Sequence, residues 1–155
     1  MFRKFGIAGA FCTCLIFGQP VIAAENWPDT VDQYVLQVRK TVDTIDIEGF
    51  LAIVKNPDGA LLIDVRDESE AKAGHIPGTV NLTRGRLEFT IWKVLGYPNA
   101  VDRNRKIYVH CGSGARATLA ARQLKDIGFT NVTAVVMTLA DWQRKGYPFV
   151  REEAR

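Results

Sequence analysis

Histidine and cysteine are both scarce in this chain: two of the first and three of the second in 155 residues. Cys12 and Cys14 fall within the first 24 residues, so Cys111 stands alone in the rest and no disulfide can form within it. His75, His110 and one cysteine make a poor metal-ligand set. No apolar run reaches the ~20 residues of a membrane-spanning helix. There is no internal repeat and no low-complexity segment. Charge of either sign is not in excess: beyond Ala24, 18 basic residues face 17 acidic ones, a balance that points away from nucleic acid and membrane surfaces as partners.

What is present begins with Arg3 and Lys4, an apolar core at 6–17, Pro20 and a small-residue site ending at Ala24. This pattern predicts a secretory signal peptide over 1–24, hence an exported and periplasmic protein with no stable membrane insertion after cleavage. The remaining 131 residues suffice for one domain. The expected plan is a helical extension at 25–43, a domain at 44–150 and a tail at 151–155. An unpaired thiol in an oxidising compartment is either an intermolecular partner or a reactive group.

Apolar spacing predicts helices at 29–42 and, capped by Asp46, at 47–55. A strand buried on both faces follows at 60–65, then a short polar helix at 68–72, a Gly-His-Ile-Pro-Gly turn and a small strand at 80–82. Leu87, Ile91 and Trp92 suggest a helix stopping before Gly96 and Pro98. A strand at 106–110, a helix at 116–127 closed by Gly128, a strand at 132–136 and a helical turn at 141–145 complete the chain. Alternating strands and helices imply an α/β fold, a parallel sheet of about five strands with helices on both faces. Ligands in such folds bind beyond the carboxyl ends of the strands, where Cys111 falls.

The stretch IYVHCGSGARA, 107–117, carries the chemistry. A strand ends at Cys111, the chain passes through Gly112, Ser113, Gly114 and Ala115, and a helix begins near Arg116. If Gly112 and Gly114 take positive φ, their backbone N–H groups converge on one point as an anion-binding nest around the sulfur. The helix dipole and the Arg116 charge would favour an anion there. Ser113 is expected to hydrogen-bond within the loop. A lone cysteine at a strand end is more often inert core, but the glycine loop and the arginine favour a reactive nucleophile. His110 precedes Cys111 on a strand, so its side chain should point to the opposite face, and His75 belongs to a turn; neither is expected to act as a base.

Two segments, LLIDVRDESEAKAGHIPGTVNL and IYVHCGSGARATLAARQLKDIGFTNV, resemble a single-domain rhodanese, a sulfurtransferase, over about residues 44–150. The resemblance implies that Cys111 is the catalytic cysteine and that Gly112, Ser113, Gly114, Ala115 and Arg116 form its loop. Asp64, Val65 and Arg66 match the family's Asp-Val-Arg, with Asp64 and His75 in supporting roles and Arg66 or Arg84 available to attract an anionic donor. It implies a Cys111 persulfide formed from thiosulfate or a similar small anionic donor, a thiol or cyanide acceptor, or a protein sulfur acceptor, and no cofactor or metal. Ala71 stands where the family usually has an aromatic, Thr79 where it has alanine, and Met137 and Thr138 where a Gly-Gly pair is common.

Two other functions compete. A noncatalytic or single-turnover sulfur carrier, or a protein-binding module of the same family, needs the same loop. Cysteine-dependent phosphatases and arsenate reductases also join a cysteine, a glycine loop and an arginine. Protein tyrosine phosphatases place five residues between cysteine and arginine, whereas this chain has the four from Gly112 to Ala115, a tighter cradle suited to one sulfur atom.

Overall fold

The computed structural model describes residues 28–151; the segment 1–24, expected to be a signal peptide, and residues 152–155 of the tail lie outside the described residues. One five-stranded, fully parallel sheet runs in the order β1-β5-β4-β2-β3, with β1 at Asp43–Ile45, β2 at Leu61–Asp64, β3 at Thr79–Asn81, β4 at Ile107–His110 and β5 at Val132–Val135. Every residue of β2 is buried, as its uninterrupted apolar run requires of a strand covered on both faces. Asp64 pairs in register with His110 on one side and Asn81 on the other. Three strands therefore end side by side, and the chain leaves all of them at the same edge of the sheet.

Six helices cover the two faces: α1 (Val31–Arg39), α2 (Ile47–Lys55), α3 (Glu68–Ala73), α4 (Leu87–Val94), α5 (Ala115–Asp126) and α6 (Leu139–Arg144). On one face Leu87 and Ile91 of α4 and Ala117, Ala120, Ala121 and Leu124 of α5 pack on Ile63, Val109 and Ala134. Alanines on α5 let the helix approach the strands closely. On the other face Phe50 of α2 and Trp142 of α6 pack on Leu62 and Val135. The α2 reading needs no adjustment: Asp46 caps it, its Oδ1 accepting the Gly49 N–H at 2.8 Å.

Some bounds shift and two short elements are new. The sequence shows no sign of β1, a three-residue edge strand paired to β5, and the boundary drawn between 43 and 44 runs through it. The helical extension α1 packs on the domain: Val35 and Val38 are buried and the helix lies on α5, while just beyond it Asp43 accepts Lys125 Nζ at 2.8 Å. The helix stops at Arg39, before the expected 42. Residues Arg84–Arg86, between β3 and α4, form a 3-10 turn.

Candidate active site

Cys111 sits one residue past β4, the strand flanked by both β2 and β5, and is 1% exposed. Its Sγ accepts the backbone N–H of Gly114 at 3.2 Å. Gly114 has φ +81°, and a Cβ there would meet Val136 Cα at 3.2 Å and Val135 O at 3.4 Å, so both the turn and the close approach to the chain after β5 require glycine. Gly112 has no positive φ, which corrects the expectation of two left-handed glycines; one is enough to turn the Gly114 amide onto the sulfur. The loop is tied down further where Gly112 O accepts Leu139 N–H at 2.8 Å and Gly114 O accepts Thr118 Oγ1 at 2.8 Å. Ala115 opens α5, one residue earlier than expected. Ser113 is exposed, and its hydroxyl makes no hydrogen bond among the described residues, contrary to the expected bond within the loop.

Arg116 does not point a free charge at the sulfur. Its Nη1 and Nη2 donate to Glu70 Oε2 and Oε1 at 2.6 and 2.9 Å, and Asp67 Oδ2 lies 3.9 Å from Nη1. The hydrogen bond to Glu70 is the chief reason the guanidinium is held protonated above its ordinary range, with smaller contributions from the charges of Glu70, Cys111 and Asp67. That same bond holds the Glu70 carboxyl below the usual carboxylate range. Glu70 Oε2 also accepts the Asp67 N–H at 3.3 Å, closing a capping box at the start of α3.

Asp64 and Arg66 form a second pair, buried where the first is half-exposed. Arg66 is 4% exposed and Asp64 0%. Arg66 Nε donates to both Asp64 oxygens at 3.0 Å and Nη2 to Oδ2 at 2.6 Å, while Nη1 reaches Glu70 O at 3.1 Å and Nη2 also reaches Gly74 O at 2.8 Å. The expectation that Arg66 meets an anionic donor is therefore corrected: its fork is filled by Asp64, by Glu70 O within α3 and by Gly74 O just past its end. Arg66 fixes α3, and α3 presents Glu70 to Arg116. The i, i+2 spacing of Asp64 and Arg66 was the signal for this pair, since alternate residues of an extended segment share a face.

His110 lies on the face opposite Cys111, its ring 5.5 Å from that of Phe50. Burial pushes its pKa down to about 4, with Asp64 opposing and Arg66 assisting. The imidazole is thus neutral near pH 7, its 3.9 Å approach to Asp64 is not an ion pair, and neither ring nitrogen has a hydrogen-bond partner among the described residues. His75 exchanges two 2.8 Å backbone hydrogen bonds with Val150 and lines a 440 Å³ cleft with Ala71, Thr79 and Arg86; Cys111 does not line that cleft. Arg84 donates its backbone N–H to Val65 O at 3.2 Å. Met137 is buried against α2 and α6, and Thr138 caps α6 by accepting the Asp141 N–H at 3.0 Å.

A family model described as Rhodanese-like domain matches residues 48–145. A protein of Bacillus subtilis named as a candidate sulfur carrier is 33% identical over 105 residues, 68% of this chain and 53% of the relative, so the chain spans about half of that protein's length. A candidate mitochondrial thiosulfate sulfurtransferase of Schizosaccharomyces pombe is 30% identical over 122 residues, 72% of this chain and 85% of the relative. Among solved structures, the polysulfide-sulfur transferase homodimer of Wolinella succinogenes aligns with a TM-score of 0.63 and 26% identity, covering 79% of this chain and 88% of the other.

Proposed function

This chain belongs to the rhodanese-like sulfurtransferase family, and we propose that it carries sulfane sulfur on Cys111, from thiosulfate or a similar donor to a thiol or cyanide. The observation that carries this reading is the Gly114 N–H aimed at Cys111 Sγ from 3.2 Å, at the end of a central strand and the start of a helix. The Cys111 thiolate attacks the outer sulfur of thiosulfate, the S–S bond of the donor breaks, and sulfite leaves with the bonding pair. The terminal persulfide sulfur then bears the negative charge, at the loop whose Gly114 N–H already points at Sγ. A thiolate or cyanide attacks that terminal sulfur, the new S–S bond breaks, and the Cys111 thiolate returns.

The four-residue loop between Cys111 and Arg116, tighter than a cradle for a phosphoryl group with three oxygens, weighs against phosphoryl transfer. For the chain as made, we propose export with removal of residues 1–24.

Intact mass spectrometry tests the central step. After thiosulfate the protein gains the mass of one sulfur, cyanide removes it, and Cys111→Ser gains nothing. No gain on a free, reduced thiol, with thiosulfate or any other sulfane donor, would overturn the reading. One sulfur delivered per protein, without turnover, would assign a carrier rather than an enzyme.

A further inference from the structure

Both arginines that the motifs bring to the Cys111 end of the sheet are answered by carboxylates. Arg66 is filled by Asp64, and Arg116 is gripped in bidentate fashion by Glu70 with Asp67 at 3.9 Å. The Arg116 fork lies over the loop: a Cβ placed on Gly112 would be 3.5 Å from its Nη2. Summed over Asp64, Asp67, Glu70, Arg66 and Arg116, the formal charge around the cradle is negative. The grip is also built rather than incidental. Glu70 is fixed from behind by the Asp67 N–H and by Arg66, which holds the Glu70 carbonyl at 3.1 Å and Gly74 O at 2.8 Å.

We propose that Glu70 is a specificity-determining residue: by pairing with Arg116 it keeps a free positive charge off the Cys111 loop, so that the site takes sulfur from singly charged donors in preference to the dianion thiosulfate. The donor class is the thiosulfonates and hydropersulfides. This deepens the sulfur-transfer reading and rests on it. A free guanidinium would attract a dianion about twice as strongly as a monoanion at the same place, whereas a neutralised one discriminates little and leaves the desolvation of the second charge uncompensated. For a thiosulfonate the step balances as for thiosulfate: Cys111 sulfur bonds to the outer sulfur, the S–S bond breaks, and a sulfinate leaves with the pair.

Methanethiosulfonate is the probe, since it replaces one charged oxygen of thiosulfate by a methyl group and keeps the reacting sulfur. Steady-state transfer to cyanide is measured for both donors in the purified protein and in Glu70→Gln. The protein is expected to show the higher kcat/KM with methanethiosulfonate. Glu70→Gln frees Arg116 and should lower KM for thiosulfate about tenfold and for methanethiosulfonate about threefold, with kcat little changed, because the freed charge acts on two negative charges in one case and one in the other. Arg84 and Arg86 are the same in both proteins and cancel from the ratio. An equal loss with both donors would mean that Glu70 only supports the loop, and would overturn the proposal. If Glu70→Gln does not fold, salt dependence decides: a thiosulfate KM that rises no more steeply with ionic strength than the methanethiosulfonate KM supports a neutralised Arg116, and a steeper rise overturns it. Failure of both donors to load Cys111 would instead sink the sulfur-transfer reading itself.

Discussion

Two arginine–carboxylate pairs, 64–66 and 70–116, use the same functional groups in surroundings that give them opposite characters. Asp64–Arg66 is local, separated by one residue, and its side chains are 1% and 5% exposed; Glu70–Arg116 spans 46 residues and its side chains are 40% and 37% exposed. In the interior, each charge depends on its partner, since water can replace neither. At the surface, solvent screens the pair and either member can be released at small cost. The buried pair therefore sets where α3 sits, and the half-exposed pair is left as an adjustable charge beside the sulfur.

Breaking the buried pair gives the largest expected effect. Asp64→Asn leaves the Arg66 guanidinium with neutral partners only, and should cost about 3–5 kcal/mol of unfolding free energy, read as a lowered denaturation midpoint with unchanged slope. A result below about 1 kcal/mol would mean the pair behaves like a surface one.

The interior next to that pair is sharpened by pH. His110 titrates near 4 when folded against 6.5 as its ordinary value, so the unfolded chain takes up the proton first as pH falls. Its neutral form contributes full stability above about pH 6.5, and that stability is lost progressively between 6.5 and 4, by up to about 3 kcal/mol. His110→Phe should flatten the stability profile in that window, leaving the carboxylate-driven decline at lower pH. An unchanged profile would place the acid sensitivity elsewhere.

The smallest effect belongs to the exposed pair. Glu70→Gln should change stability by no more than about 1 kcal/mol, and the donor preference should move instead. Thermal denaturation of this variant beside Asp64→Asn would show the two pairs diverging, or would collapse the distinction if both fell equally.

The contrast also marks what could be read from the sequence. Helix α2, its Asp46 cap and the buried run of β2 follow from spacing that repeats over enough residues to be unambiguous. The Cys111 loop was legible because glycine, arginine and cysteine are confined to six neighbouring positions. Strand β1 was not, because Asp-Thr-Ile is too short to show a period and its place depends on pairing with β5, 90 positions away. Arg116 was legible as a charge at the loop, but its carboxylate partner was not. Glu70 could not be singled out, because the turn of α3 that presents it is fixed by the Arg66 hydrogen bonds to Glu70 O and Gly74 O, contacts that no local pattern encodes.

Depth also selects by shape. With Cys111 1% exposed, a mixed disulfide with another folded protein would have to bring a second Cβ and its backbone up to a sulfur that is almost wholly covered. A persulfide adds only one atom. The same burial thus shields the thiol from cross-linking, acting as a sieve on what the cysteine can become.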